Sequence, residues 1–223
     1  MKLKALNDDG QIRCVIYDCD GVLVDSFESN RRFYNYFRTT LAQPSLTEEE
    51  LKFAHTHTAR EALRFLFRNN PDLEAKAQSL LSRVDPLETI AHLKLEPNVL
   101  PTLDALKGKG MIRAVSTNRA NSMKYIMEKF NLKPYFDLVV TALDVQNPKP
   151  DPESVEKIIR TFSLDEKETI LVGDSEIDRQ AALAAGVKFV AYKNEEIDAD
   201  AFIDDHLAIL DLLFKGGSHG NGG

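Results

Sequence analysis

Two aspartates one residue apart, Asp18 and Asp20, follow the apolar run 12–17 and precede Gly21. A carboxylate held at the end of a buried strand can attack phosphorus and form an acyl phosphate, which divides one difficult displacement into two easier ones. Asp18 suits that attack. Asp20 suits a proton carrier that serves the departing alkoxide first and the incoming water second. Gly21, with no side chain, is expected to let the backbone come close to a phosphoryl group. An acid-rich turn without chemistry is the plain alternative for this motif taken alone.

Three further polar clusters extend the pattern. Ser116-Thr117-Asn118-Arg119 closes the run 112–116 ahead of a helical stretch. A hydroxyl and free N–H groups at a helix start form an anion site, so Thr117 and the Asn118 N–H are candidate phosphate contacts, with Ser116 the alternative hydroxyl. The same residue types also cap helices without any ligand. Lys149 stands in Asn147-Pro148-Lys149-Pro150-Asp151-Pro152, where proline on either side restricts the backbone. An ammonium fixed in a water-poor cleft neutralises a nucleophilic carboxylate and phosphoryl oxygens. The last cluster is Gly173-Asp174-Ser175-Glu176-Ile177-Asp178. Magnesium takes a few hard oxygen ligands together with substrate phosphate. Asp18 and Asp174 by their side chains, and Asp20 by its carbonyl, are therefore candidate ligands for Mg2+. Asp178, one helical turn on, is expected to orient Lys149 or a metal-bound water.

The elements that must carry these groups are legible as apolar runs at 12–17, 112–116, 138–142, 170–173 and 188–192. Each is too continuous for a half-exposed strand and reads as a buried parallel one. Helical stretches at 100–109, 120–130, 152–162 and 178–185 separate the later runs, two of them ending at Gly110 and Gly186. That alternation predicts an α/β fold with a Rossmann-like doubly wound parallel sheet, its ligand site beyond the carboxyl ends of the strands. Residues 27–94 break the alternation and read as an inserted all-helical cap. Phe33, Phe37 and Leu41 share one helical face, as do Leu63, Leu66 and Phe67, and a small bundle would bury them. The expected division is a core of 1–26 and 95–214, a cap of 27–94, and a flexible glycine-rich tail at 215–223.

Composition narrows the class. With 223 residues and 43% apolar content, one substantial core plus an accessory lobe is expected. A net charge of -7 disfavours nucleic acid and anionic membranes as partners, so a phosphorylated substrate must meet a local positive site. No apolar stretch is long enough to suggest a spanning helix, the N-terminus does not read as a secretory signal, and the expected location is cytoplasmic. Cys14 and Cys19 are expected to remain reduced.

Taken in order, Asp18-x-Asp20-Gly21, Thr117, Lys149 and Gly173-Asp174-x3-Asp178 resemble the four signatures of the haloacid dehalogenase-like hydrolases. The similarity covers almost the whole chain and is strongest to the phosphoglycolate phosphatase and beta-phosphoglucomutase branch. It implies Asp18 as nucleophile, Asp20 as acid and base and carbonyl ligand, Thr117 and Lys149 as phosphate binders, and Asp174 as a magnesium ligand. In such enzymes the cap selects the leaving group, which draws attention to the segment 53–61. Arg60 is the candidate there for a substrate carboxylate or second phosphate, or else pairs with a cap glutamate. His55 and His57 read as part of a polar loop. Glu96-Pro97-Asn98-Val99 departs from the proline-glycine pair common in the branch. Asn30 stands where mutase-like members carry histidine, which weighs against a sugar-phosphate mutase. Dehalogenases and phosphonatases of this resemblance lack an acid at the position of Asp20. The implied activity is hydrolysis of a small phosphorylated metabolite by a monomer or homodimer; a mutase and a non-catalytic phospho-ligand binder are the alternatives.

Overall fold

The computed structural model describes Leu6 and residues 12–214; the expected tail at 215–223 and nearly all of the N-terminal segment lie outside the described residues. The main sheet contains β1 (Cys14–Tyr17), β4 (Ile112–Ser116), β5 (Leu138–Val140), β6 (Thr169–Gly173), β7 (Lys188–Tyr192) and β8 (Ala201–Ile203). All pairings are parallel and the order is β5-β4-β1-β6-β7-β8. From β1 the chain winds outward through β4 and β5, then returns to the other side of β1 for β6, so the switch point of the sheet lies beside β1.

The strands read as continuous apolar runs because both sheet faces are covered. Val15, Tyr17, Val115, Val172 and Val190 join one buried cluster with α6 (Val99–Gly108), α7 (Met123–Lys129) and α10 (Ala208–Phe214). Cys14, Ile16, Ala114, Leu171 and Phe189 join the opposite cluster with α8 (Glu153–Phe162) and α9 (Glu176–Ala184). Successive strand residues thus enter different cores, as a period of two requires. Both cysteines are buried and unbridged, and burial pushes the Cys14 thiol up to about 12, with Asp137 adding to the shift.

Several boundaries differ from expectation. The run at 138–142 yields only Leu138–Val140, because Asp144 accepts from both the N–H and the hydroxyl of Thr141 and turns the chain. The helix expected from 120 begins at Met123; its preceding residue, Ser122, makes no side-chain cap. β8 was not foreseen, since its three residues lie in an acid-rich stretch and owe their pairing to β7.

The inserted cap holds α1 (Phe27–Thr40), α2 (Glu48–Thr56), α3 (Ala59–Leu66), α4 (Pro71–Leu81) and α5 (Pro86–Ile90). Capping boxes at Thr47 with Glu50 and Thr58 with Glu61 start α2 and α3 by satisfying N–H groups that the first turn leaves free. The two expected stripes meet: Phe37, Leu63, Leu66 and Phe67 are buried together, with Phe33 and Leu41 packed against them. At the junction, β2 (Val24–Asp25) pairs antiparallel with β3 (Lys94–Leu95), so the outgoing and returning chains are laced to each other. Lys129 on α7 donates to the carbonyls of Ile90, Ala91 and Leu93, tying the returning segment to the core. Phe37 is fully buried in this cluster. Phe37→Ala is expected to cost about 3–5 kcal/mol in urea unfolding, and a loss below about 1 kcal/mol would contradict a packed cap.

Candidate active site

β1 lies between β4 and β6, and the residue at the carboxyl end of each is a member of a polar cluster identified above. Asp18 follows β1, Thr117 follows β4 and Asp174 follows β6. The Asp18 N–H donates to Val172 O and the Thr117 N–H to Val140 O, so neighbouring strands fix both positions. Asp18, Asp20, Thr117, Asn118, Lys149, Asp174 and Asp178 all line one cavity of about 740 Å³, whose outer wall comes from the cap.

Lys149 sits at the centre of the polar floor, only 3% exposed. Its Nζ donates to Asp18 Oδ1 at 2.7 Å, Asp178 Oδ1 at 2.5 Å and the Ser116 carbonyl at 2.8 Å, which uses all three ammonium donors. Burial would lower the pKa of the ammonium, but Asp178 and Asp18 outweigh it and the group is held above its ordinary range. Asp178 is held in turn by the Ser175 hydroxyl and N–H on its other oxygen. Of the two expected tasks for Asp178, the geometry shows it seated against Lys149.

Asp18 is raised above the usual carboxylate range, first by burial and then by the neighbouring charges of Asp178, Asp174 and Asp20, with Lys149 acting against them. Asp174 is raised as well, by burial ahead of its charged neighbours. Oxygens of Asp18, Asp174 and Asp178 lie within 4.8 Å of one another. Four carboxylates face two fixed cations here, Lys149 and Arg119, which leaves an excess of negative charge that a divalent cation would neutralise. The donors are hard oxygens and few, a set that fits Mg2+. Both oxygens of Asp178 are taken, one by Lys149 and the other by Ser175, whereas Asp18 gives Lys149 only Oδ1, so Asp18 and Asp174 are the side chains that would hold it.

Gly21 meets a further demand besides the backbone approach expected of it. Its φ is +72°, and a Cβ there would fall 2.0 Å from Asp174 Oδ2. The missing side chain makes room for the Asp174 carboxylate. Gly173 likewise makes room for Asp178, whose Cβ would lie 2.3 Å from an added methyl.

The Thr117 and Asn118 site is not a helix start, because α7 begins only at Met123. It is a loop. The Thr117 hydroxyl accepts from the Arg119 N–H at 3.1 Å, and the Asn118 side chain donates to Lys149 O at 2.8 Å and Thr56 O at 3.2 Å. The Asn118 N–H has no hydrogen-bond partner among the described residues and remains open to an anion. Ser116, the alternative hydroxyl, is fully buried against Ser154 at 2.7 Å, behind the cavity wall.

Two participants were missed. Arg119 grips Asp20 through Nε and Nη2, both at 2.6 Å, one to each carboxylate oxygen. Burial opposes ionisation of Asp20, but Arg119 overcomes it and holds the carboxyl below its usual range. His55, expected in a polar loop, lies in the last turn of α2 and reaches across to the core, with Nε2 3.8 Å from Asp174 Oδ2 and Nδ1 2.9 Å from Asn30 Nδ2. Burial would depress its pKa, yet Asp174 and Asp20 raise it. His57 instead stacks on Phe53 with ring centroids 3.7 Å apart and bonds the Phe53 carbonyl, so the two histidines do not act as a pair. Arg60 is exposed at the cavity rim; among the described residues it makes no ion pair, and its carbonyl accepts from Gln78.

Gly21→Ala should push Asp174 aside and cost about 1–3 kcal/mol of backbone strain while the chain still folds. Calorimetric titration is expected to show magnesium binding weakened about tenfold or more, with an unchanged circular dichroism spectrum. Wild-type affinity in this variant would contradict the assignment of Asp174 as a ligand.

Comparison with known proteins agrees with this geometry. The family model described as haloacid dehalogenase-like hydrolase matches residues 15–192. A phosphoglycolate phosphatase of Nitrosospira multiformis is 30% identical, over 92% of this chain and 96% of its own length. One from Agrobacterium fabrum is 28% identical, over 90% of this chain and 91% of its own. Among solved structures, a HAD-superfamily hydrolase, subfamily IA, variant 1, of Geobacter sulfurreducens superposes with a TM-score of 0.74 and 40% identity, over 93% of this chain and 99% of that one. The likeness runs through cap and core alike, and this chain belongs to the haloacid dehalogenase-like hydrolase family.

Proposed function

We propose that the chain is a magnesium-dependent phosphatase that hydrolyses a small phosphorylated metabolite through an aspartyl-phosphate intermediate. The observation that carries this reading is the seat of Asp18: one oxygen tied to buried Lys149, at the floor of a cavity that Asp20 also lines. The phosphatase names of relatives near 30% identity support the same reading and favour a small phosphorylated acid as substrate. The division into a core of 1–26 and 95–214 and a cap of 27–94 belongs to this proposal, as does a cytoplasmic location. Among the described residues no helix is long and apolar enough to cross a membrane.

The residues divide the work as follows. Phosphate is received by the Thr117 hydroxyl and by the open N–H of Asn118, and Lys149, its three donors held by Asp18, Asp178 and Ser116, adds its positive charge. Asp18 attacks phosphorus, and the bond from phosphorus to the leaving oxygen breaks as the acyl phosphate forms. Asp20, which Arg119 holds toward its ionised form, takes up a proton as substrate binds and gives it to that oxygen, then takes one from the water that attacks the same phosphorus and restores Asp18. Asp18, Asp174 and the Asp20 carbonyl would hold Mg2+, which when bound supplies positive charge to the phosphoryl oxygens. The cap walls off water, which strengthens each of these charge interactions.

The reading predicts p-nitrophenyl phosphate hydrolysis that needs magnesium and stops with chelator. Asp18→Asn should reduce turnover by about 10⁴-fold or more with the fold intact, since a carboxamide is a poor nucleophile. Substantial magnesium-dependent turnover by Asp18→Asn would exclude the covalent route. A second expectation is that Asp20→Asn slows alkyl phosphates by about 10²–10⁴-fold but p-nitrophenyl phosphate much less, because a good leaving group needs little proton donation. Equal slowing of both would remove Asp20 from the acid role. Isomerisation of a sugar phosphate without phosphate release would point to the mutase alternative.

A further inference from the structure

The grip of Arg119 on Asp20 engages both oxygens of the proposed acid, one lone pair of each. Both carboxylate oxygens are engaged at 2.6 Å in the parallel two-bond geometry that a guanidinium and a carboxylate prefer. The pair is nearly sealed from solvent, at 10% side-chain exposure for Arg119 and 14% for Asp20. Arg119 is itself anchored, its Nη1 donating to the Ser122 hydroxyl at 3.2 Å and its own carbonyl accepting from the Ala142 N–H at 3.0 Å. A proton on the guanidinium-facing side of Asp20 cannot coexist with both of these bonds, so to act there as an acid Asp20 must release one of them. A buried guanidinium that loses half of its partner is left uncompensated, and such a group is strongly unfavourable unless another anion replaces what it lost.

The replacement has one place to come from. Arg119 lines the same cavity as Asp20, and Lys149, the other buried cation there, is fully committed to Asp18, Asp178 and a carbonyl. An anionic group on the leaving-group side of a substrate's phosphate would therefore meet Arg119 next to Asp20. We propose that Arg119 is an exchange clamp: it parks Asp20 until an anionic substituent of the substrate takes over part of the guanidinium, and so couples recognition of that substituent to release of the acid. This deepens the phosphatase reading and rests on it for the role of Asp20; the anion exchange itself does not need turnover. Arg119 is thus a positioning and specificity residue. The substrate class it selects carries a carboxylate or a second phosphate close to the phosphoester, while Arg60 at the rim is too exposed to impose such a choice alone.

Binding of two unreactive probes tests the clamp in the full chain with magnesium present. Phosphonoacetate carries a carboxylate beside its phosphonate, and methylphosphonate does not. Calorimetry is expected to give the wild type a preference for phosphonoacetate, with Arg119→Met lowering the affinity ratio about tenfold or more. Asp20→Asn should raise the same ratio several-fold, since the guanidinium then has no carboxylate to surrender. The second variant keeps the test open should Arg119→Met fail to fold, because an unchanged ratio in Asp20→Asn by itself overturns the exchange. Equal weakening of both probes in Arg119→Met also overturns it and leaves Arg119 a purely structural partner of Asp20. Hydrolysis of p-nitrophenyl phosphate by the same wild-type preparation is read separately. Its absence alongside the expected ratios would sink the phosphatase reading and leave the exchange site standing.

Discussion

Everything at the site depends on one buried ammonium. Lys149 holds Asp18 and Asp178 together, and without it two carboxylates would share a nearly dry space with Asp174 close by. Like charges so placed cannot all stay ionised, and neutral acids would neither attack phosphorus nor hold a metal. By joining the end of β1 to the start of α9, Lys149 also fixes the distance between the proposed nucleophile and the loop that carries Asp174. The strand order serves the same arrangement, because β1, flanked by β4 and β6, has the Thr117 loop on one side of Asp18 and the Asp174 loop on the other.

The site is crowded enough that two glycines are required beside it. Gly21 and Gly173 each occupy a position where a methyl group would collide with an aspartate. The cap contributes from the opposite wall through His55, whose imidazole faces Asp174, and through Thr56, whose carbonyl accepts from Asn118. Those contacts run from cap to core directly across the cavity, so seating of the cap and arrangement of the polar floor are coupled. The laced strands β2 and β3, together with the Lys129 tether, confine the connection to two short segments.

Much of this was legible in the sequence because burial leaves a mark. Strands covered on both faces appear as unbroken apolar runs, and polar clusters that interrupt those runs stand out against them. Phe37 and Leu63 announced the cap core through helical spacing. Less legible were features that depend on a distant partner. Arg119 was visible as a residue of its loop, but its carboxylate lies 99 positions away and no local pattern joins the two. His55 resembled a loop residue until a helix carried it to Asp174. β8 escaped notice since three residues among acids become a strand only when an edge is offered to them. The start of α7 falls later than expected because Asn121 and Ser122 favour turns over helix and stay in the loop that directs Arg119 toward Asp20.

The central claim, that Asp18 carries the phosphoryl group between the two displacements, is open to direct chemical trapping. Enzyme quenched in acid during turnover and reduced with borohydride converts an aspartyl phosphate to homoserine, which peptide mass spectrometry can place. The account predicts homoserine at position 18, in an amount that rises with substrate, with Asp20, Asp174 and Asp178 untouched. Homoserine at one of those other positions, or none at all in an enzyme that is visibly turning over, would contradict it.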